Sequence, residues 1–113
     1  MADNAPIEHL SEQELLVQIG LELTRGEERA VPFDPRELLE RGKAWLSAMG
    51  KELAERVCTA EVRALLRESD TPTLIAAIAD LVASCCFGVS PITVAYLLVR
   101  RGLQKFCSRH WTT

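Results

Sequence analysis

The chain contains none of the short motifs by which nucleotide-dependent and metal-dependent enzymes are recognised. There is no GxxxxGK[ST] phosphate loop, no GxGxxG turn and no HExxH helix. Hydrolases and nucleotide enzymes therefore have no foundation in the sequence. Histidine is scarce: His9 lies near one end and His110 near the other. Cys107-Ser108-Arg109-His110 brings a thiol close to an imidazole. No orienting carboxylate, oxyanion loop or glycine-rich turn stands beside them, and nucleophilic catalysis relies on such support. Charge of one sign is also missing. Lys and Arg number 13 against 16 Asp and Glu, a formal net charge of −3, so no strong field is available to hold a polyanion. The opening residues Met1–Pro6 carry neither a basic n-region nor an apolar h-region, and no signal peptide is expected. No repeat or low-complexity segment interrupts the 113 residues, a length that suits one domain.

Cys58, Cys85, Cys86 and Cys107 make an even count that invites a disulfide framework. Without a secretory context, the expectation is four reduced thiols, packed as small hydrophobes in a cytoplasmic protein. A zinc site uniting Cys107 and His110 with the other cysteines fails on distance. A helix from Ser90 to Cys107 would hold Cys85 and Cys86 about 24 Å from Cys107, whereas zinc binds thiolates at about 2.3 Å. No metal and no cofactor is expected.

What the sequence does possess is helix punctuation. Ser11-Glu12-Gln13-Glu14 is an S-x-x-E capping box. Asp34-Pro35, Thr71-Pro72 and Ser90-Pro91 each set a side-chain oxygen at an N-cap and a proline at the first helical position. There the missing N–H costs nothing. These four starts predict an all-α chain, one domain over 1–113. It should form a single compact bundle of four or five helices at about 11–25, 35–57, 59–68, 72–87 and 91–107. Residues 1–10 and Arg25–Val31 are expected to be flexible. Segment 15–24 carries a competing signal, since Val17, Ile19, Leu21 and Leu23 alternate at a strand period. The capping box favours a helix closed by Gly26. From Pro35 onward, Leu39, Gly42, Leu46, Met49, Leu53 and Val57 keep phase at steps of three and four. Continued to Glu68, this stripe would make a rod of about 50 Å. A domain with a radius of gyration near about 13 Å calls for a break at Cys58-Thr59.

Leu81 to Val99 is an uncharged run followed by Arg100, Arg101, Lys105 and Arg109, the pattern of a membrane span with a positive flank. Gly88-Val89-Ser90-Pro91 in its middle reads as a helix stop and a new start. Halves of about ten residues are too short to cross a bilayer. The expectation is a buried C-terminal antiparallel helical hairpin with only Gly88 and Val89 between its helices. A membrane-associated hairpin anchored by 81–99 is the alternative. Asp80 should reach a solvated edge, because an unpaired buried carboxylate is expensive.

With catalysis, cofactors and polyanions set aside, the remaining reading is a non-enzymatic protein–protein interaction module. It would act as an adaptor or assembly element for a protein partner, with scope for homo-oligomerisation. A small DNA-binding regulator is a third reading, weakened because acids balance the arginines of 38–67. Arg100, Arg101, Lys105 and Trp111 are the expected contact residues, since arginine and aromatic side chains concentrate at binding hot spots. The simpler role for these cations is to complement the dipole of the last helix.

Overall fold

The computed structural model describes residues 6–25, 27, 33–86 and 88–111. Helices account for most of it, and no strand occurs among the described residues. Their order is α1 (Glu12–Leu23), α2 (Pro35–Val57), α3 (Ala60–Glu68), α4 (Thr71–Val82), α5 (Pro91–Arg101), α6 (Leu103–Phe106) and α7 (Ser108–Trp111). A 3-10 turn, Ile7–His9, precedes them.

The start signals act as side-chain chemistry dictates. At α1 the capping box is closed in both directions: Ser11 N donates to Glu14 Oε1 at 2.8 Å and Glu14 N to Ser11 Oγ at 3.1 Å. The alternating apolar residues of 15–24 are thereby helical. Thr24 closes this helix, and Gly26 lies outside the described residues. Asp34 accepts from Arg36 N at 2.8 Å, with Pro35 in the first turn of α2. The long stripe breaks where chain length required. Cys58 leaves the helical conformation and Thr59 caps α3 by accepting from Val62 N.

Three expectations need correction. Asp70, not Thr71, caps α4, accepting from Thr73 N at 2.9 Å, so Pro72 takes the second helical position. Next, α4 ends at Val82, short of 87. The carbonyl of Val82 accepts from the Cys85 amide and thiol instead of continuing the ladder. The connection to α5 therefore runs from 83 to 90, with Gly88 at φ +86°. Last, the helix expected over 91–107 is three pieces. Gly102 at φ +101° leaves the right-handed region and turns the chain between α5 and α6. The uncharged run of 81–99 is thus divided, and no helix among the described residues is long and apolar enough to cross a membrane.

Packing is organised by two glycines. An added Cβ at Gly20 would lie 2.0 Å from the Leu38 carbonyl oxygen, and one at Gly42 would lie 2.0 Å from that of Leu16. Leu16 and Gly20 on α1 thus face Gly42 and Leu38 on α2 in opposite order, so these helices run antiparallel with their backbones in contact. Leu15, Ile19, Leu53, Val57, Ile78, Val82, Leu97 and Leu98 fill the core between α1, α2, α4 and α5 with almost no exposure. At about 1.5–3 kcal/mol per fully buried aliphatic side chain, this core is the main stabilising contribution. Asp80 is exposed, as its chemistry requires.

One carboxylate is buried and hydrogen-bonded. Glu22, 7% exposed, accepts from Ser90 N at 2.8 Å and from Thr93 Oγ1 at 3.2 Å, and Gln18 Nε2 also donates to it. Ser90 makes no side-chain cap of its own. The N-terminus of α5 is therefore satisfied by an acid from α1, where the helix dipole favours negative charge.

Candidate interaction groove

The four residues expected to meet a partner have different fates. Arg100 binds the chain's own beginning: its Nε donates to Leu10 O at 2.9 Å and its Nη2 to Glu8 O. Arg101 pairs with Glu12 at 2.6 Å. These bonds fasten residues 8–12 to the end of α5, so the segment 6–10 is held in place rather than free. Trp111 is 5% exposed and folds back on the bundle, with the Arg63 guanidinium 5.9 Å from its ring centroid. A tryptophan inside the monomer is not presented to a partner. Of the four, only Lys105 projects from an exposed position with neither a side-chain hydrogen bond nor an ion pair among the described residues.

Lys105 stands over a groove. Beyond the turn at Gly102, α6 borders three hollows: one of about 490 Å³ against α1 and α2, one of about 300 Å³ beside Glu12 and Arg101, and one of about 600 Å³ between α2 and α6–α7. All three share the Phe106 side chain as a wall. The α2 side consists of Lys43, Ser47, Gly50, Lys51 and Ala54. Gly50 makes part of the floor, and a Cβ there would meet nothing within 4 Å. This space is not needed for the protein's own packing. Arg101 and Glu12 close one end as an ion pair, while Ser108 and His110 border the other. Lys51 faces Lys105 across the groove, also without an ion-pair partner among the described residues. Lys43 has a 3.7 Å contact with the exposed Glu40, which is worth little in water. Also on α2, Glu55 adds one acid to this lining, beside Lys51 and Ala54.

A spacing signal for this face was present. Ser47, Gly50 and Ala54 recur at three and four on α2, with Lys43 and Lys51 on the flanking row. It is silent without knowledge of what passes alongside, since small residues also serve ordinary close packing.

The structure overturns the expectation of four reduced thiols. Cys58 and Cys107 form a disulfide across 49 residues, tying the α2–α3 junction to the end of α6. The distance argument separated Cys107 from Cys85 and Cys86 and passed over Cys58, which the break in the long helix brings to the same end of the bundle. Cys85 and Cys86 are free and buried, with their sulfurs 3.4 Å apart. Burial, followed by the Cys85 thiol beside it, pushes the Cys86 thiol up to about 12. It stays protonated and is a poor nucleophile.

No cluster of three or more His, Cys, Asp or Glu side chains among the described residues is placed to hold a metal ion. Comparison with protein-family models, curated proteins and solved structures returns no match to this chain.

Proposed function

We propose that this protein is a non-enzymatic interaction module of the cytoplasm, an adaptor or assembly element. In this reading it receives an acidic, partly apolar segment of a partner protein in the groove between α2 and α6–α7. The observation that carries the reading is that Lys51 and Lys105, both without an ion-pair partner among the described residues, border one hollow with Gly50 and the Phe106 side chain. Carboxylates of an incoming segment would meet both ammonium groups, and its apolar face would cover Phe106 and Ala54. Complementary charge of this kind governs partner choice and association rate more than total affinity.

The test uses a fluorescein-labelled amphipathic peptide with Glu and Leu at helical spacing, titrated into the full chain and followed by anisotropy. Saturable binding that weakens with salt and is lost in Lys51→Glu/Lys105→Glu supports the proposal. Stability of that double variant should change by under about 0.5 kcal/mol per site, as for other exposed positions. Arg101 is a poor probe, because its reversal would also break the pair with Glu12. No binding by the wild type, or equal binding by the double variant, refutes the groove.

A further inference from the structure

We propose that Cys58–Cys107 is a redox clasp: its closure holds α6–α7 against the bundle, and its reduction releases this C-terminal hook and removes one side of the groove. The regulatory consequence rests on the groove reading above; the release of the hook does not.

Three observations carry the inference. First, the hook has a hinge. The chain leaves α5 at Gly102 with φ +101°, and an added Cβ there would meet nothing closer than the Lys105 Cβ at 4.0 Å, so no packing locks the turn. Second, the hook has little structure of its own. Helices α6 and α7 have four residues each and pack mainly on α5 and on each other. Helices this short do not persist unless something else fixes them. Third, the non-covalent seat of the hook is imperfect. Where Trp111 meets Arg63, both Trp111 Nε1 and Arg63 Nε are buried without a hydrogen-bond partner. Buried donors left unpaired oppose docking. Burial of Leu103 and Trp111 favours docking, and the covalent bond adds to it.

The clasp is placed so that opening it spares the rest. Cys58 belongs to neither α2 nor α3, and the caps on either side use the Cys58 backbone amide and the Thr59 hydroxyl. Its side is half-exposed, whereas Cys107 is fully buried, so Cys58 Sγ is the sulfur a reductant reaches. A thiolate of a dithiol reductant attacks Cys58 Sγ, the S–S bond breaks and Cys107 leaves as a thiolate that takes a proton. The second thiol of the reductant then displaces Cys58, which is likewise protonated. Two electrons and two protons pass to the protein, and the reductant becomes a cyclic disulfide. Cys85 and Cys86 take no part, being buried. In a reducing cytoplasm such a bond is regulatory rather than permanent.

The experiment compares the full chain before and after dithiothreitol treatment, with the labelled acidic peptide as binding probe. Thiol titration of the denatured protein should rise from two groups to four. Helical circular dichroism should be largely kept, while amide protection over 103–111 is lost. In a Trp45→Phe background, Trp111 emission should shift to the red and become accessible to acrylamide. Peptide affinity should fall on reduction, and Cys107→Ser should match the reduced protein and ignore dithiothreitol. Four thiols with unchanged protection at 103–111 overturn the clasp, as does loss of protection throughout the chain at once. Equal peptide binding by both forms overturns the regulatory role while leaving the groove intact. Binding by neither form, with the hook released, refutes the groove and leaves the clasp supported.

Discussion

Replacing Gly20 by alanine tests the arrangement of α1 against α2 at its tightest point. The new methyl carbon would stand 2.0 Å from the Leu38 carbonyl oxygen and 2.7 Å from its carbon. These are backbone atoms and cannot rotate aside, so the helices must part. Carbon contacts are comfortable near 3.5–4.0 Å, so the separation needed is of order 1 Å or more. Forced overpacking costs about 1–3 kcal/mol, and this clash belongs at the upper end. Alanine returns about 1 kcal/mol through its better helix propensity. The net loss for Gly20→Ala should be about 2 kcal/mol, and Gly42→Ala, facing Leu16 at the same distance, should match it. The double variant should lose less than the sum, because the first methyl has already parted the helices. Gly50→Ala is the control. Nothing lies within 4 Å of its added Cβ, so it should gain up to about 1 kcal/mol. Urea unfolding of the oxidised protein, followed by circular dichroism, measures all four variants. Equal stabilisation of Gly20→Ala and Gly50→Ala would refute the backbone contact.

Two further outcomes follow from side chains at helix starts. Glu22→Ala leaves the Ser90 amide and the Thr93 hydroxyl without their acceptor and should cost about 2 kcal/mol or more in urea unfolding; Glu22→Gln keeps one acceptor oxygen and should cost less. The hydrogen bonds from the Thr73 side chain and backbone hold the Asp70 carboxyl below its ordinary 3.8 in the folded chain. Its stabilising effect is therefore fully present above that value and lost as pH falls through the lowered one. The difference in urea midpoint between wild type and Asp70→Asn should be constant near neutrality and close in acid.

How far the sequence foretold the structure depended on how local each cause is. Ser11–Glu14 and Asp34-Pro35 act within one turn, and both starts were readable. The break at Cys58-Thr59 was expected from length, yet the molecule itself extends 51 Å along its longest axis, and the local cause is the Thr59 cap of α3. Thr71 was mistaken for the cap because Asp70, Thr71 and Ser69 all carry oxygens, and only geometry selects one. Gly102 lay inside the helix expected over 91–107, and nothing in the sequence marked its positive φ. The remaining causes act over long separations. Glu22 satisfies a helix start 68 residues away, and Cys58 joins a cysteine 49 residues away. The contact of Gly20 with Leu38 depends on which helices are neighbours. The groove inherits this limit. Lys105 was among the expected contact residues, but Lys51 and Gly50 acquire meaning only once α6–α7 lies beside α2.

The most direct test of the interaction reading is a chemical-shift map of the oxidised full chain, labelled with ¹⁵N and titrated with the acidic amphipathic peptide. The groove predicts that the largest shifts fall on Lys43, Ser47, Gly50, Lys51, Lys105 and Phe106. Val17, Leu21 and Leu39, which line none of the three hollows, should stay unchanged. Shifts concentrated on Val17, Leu21 and Leu39, or spread evenly along the chain, would contradict the account.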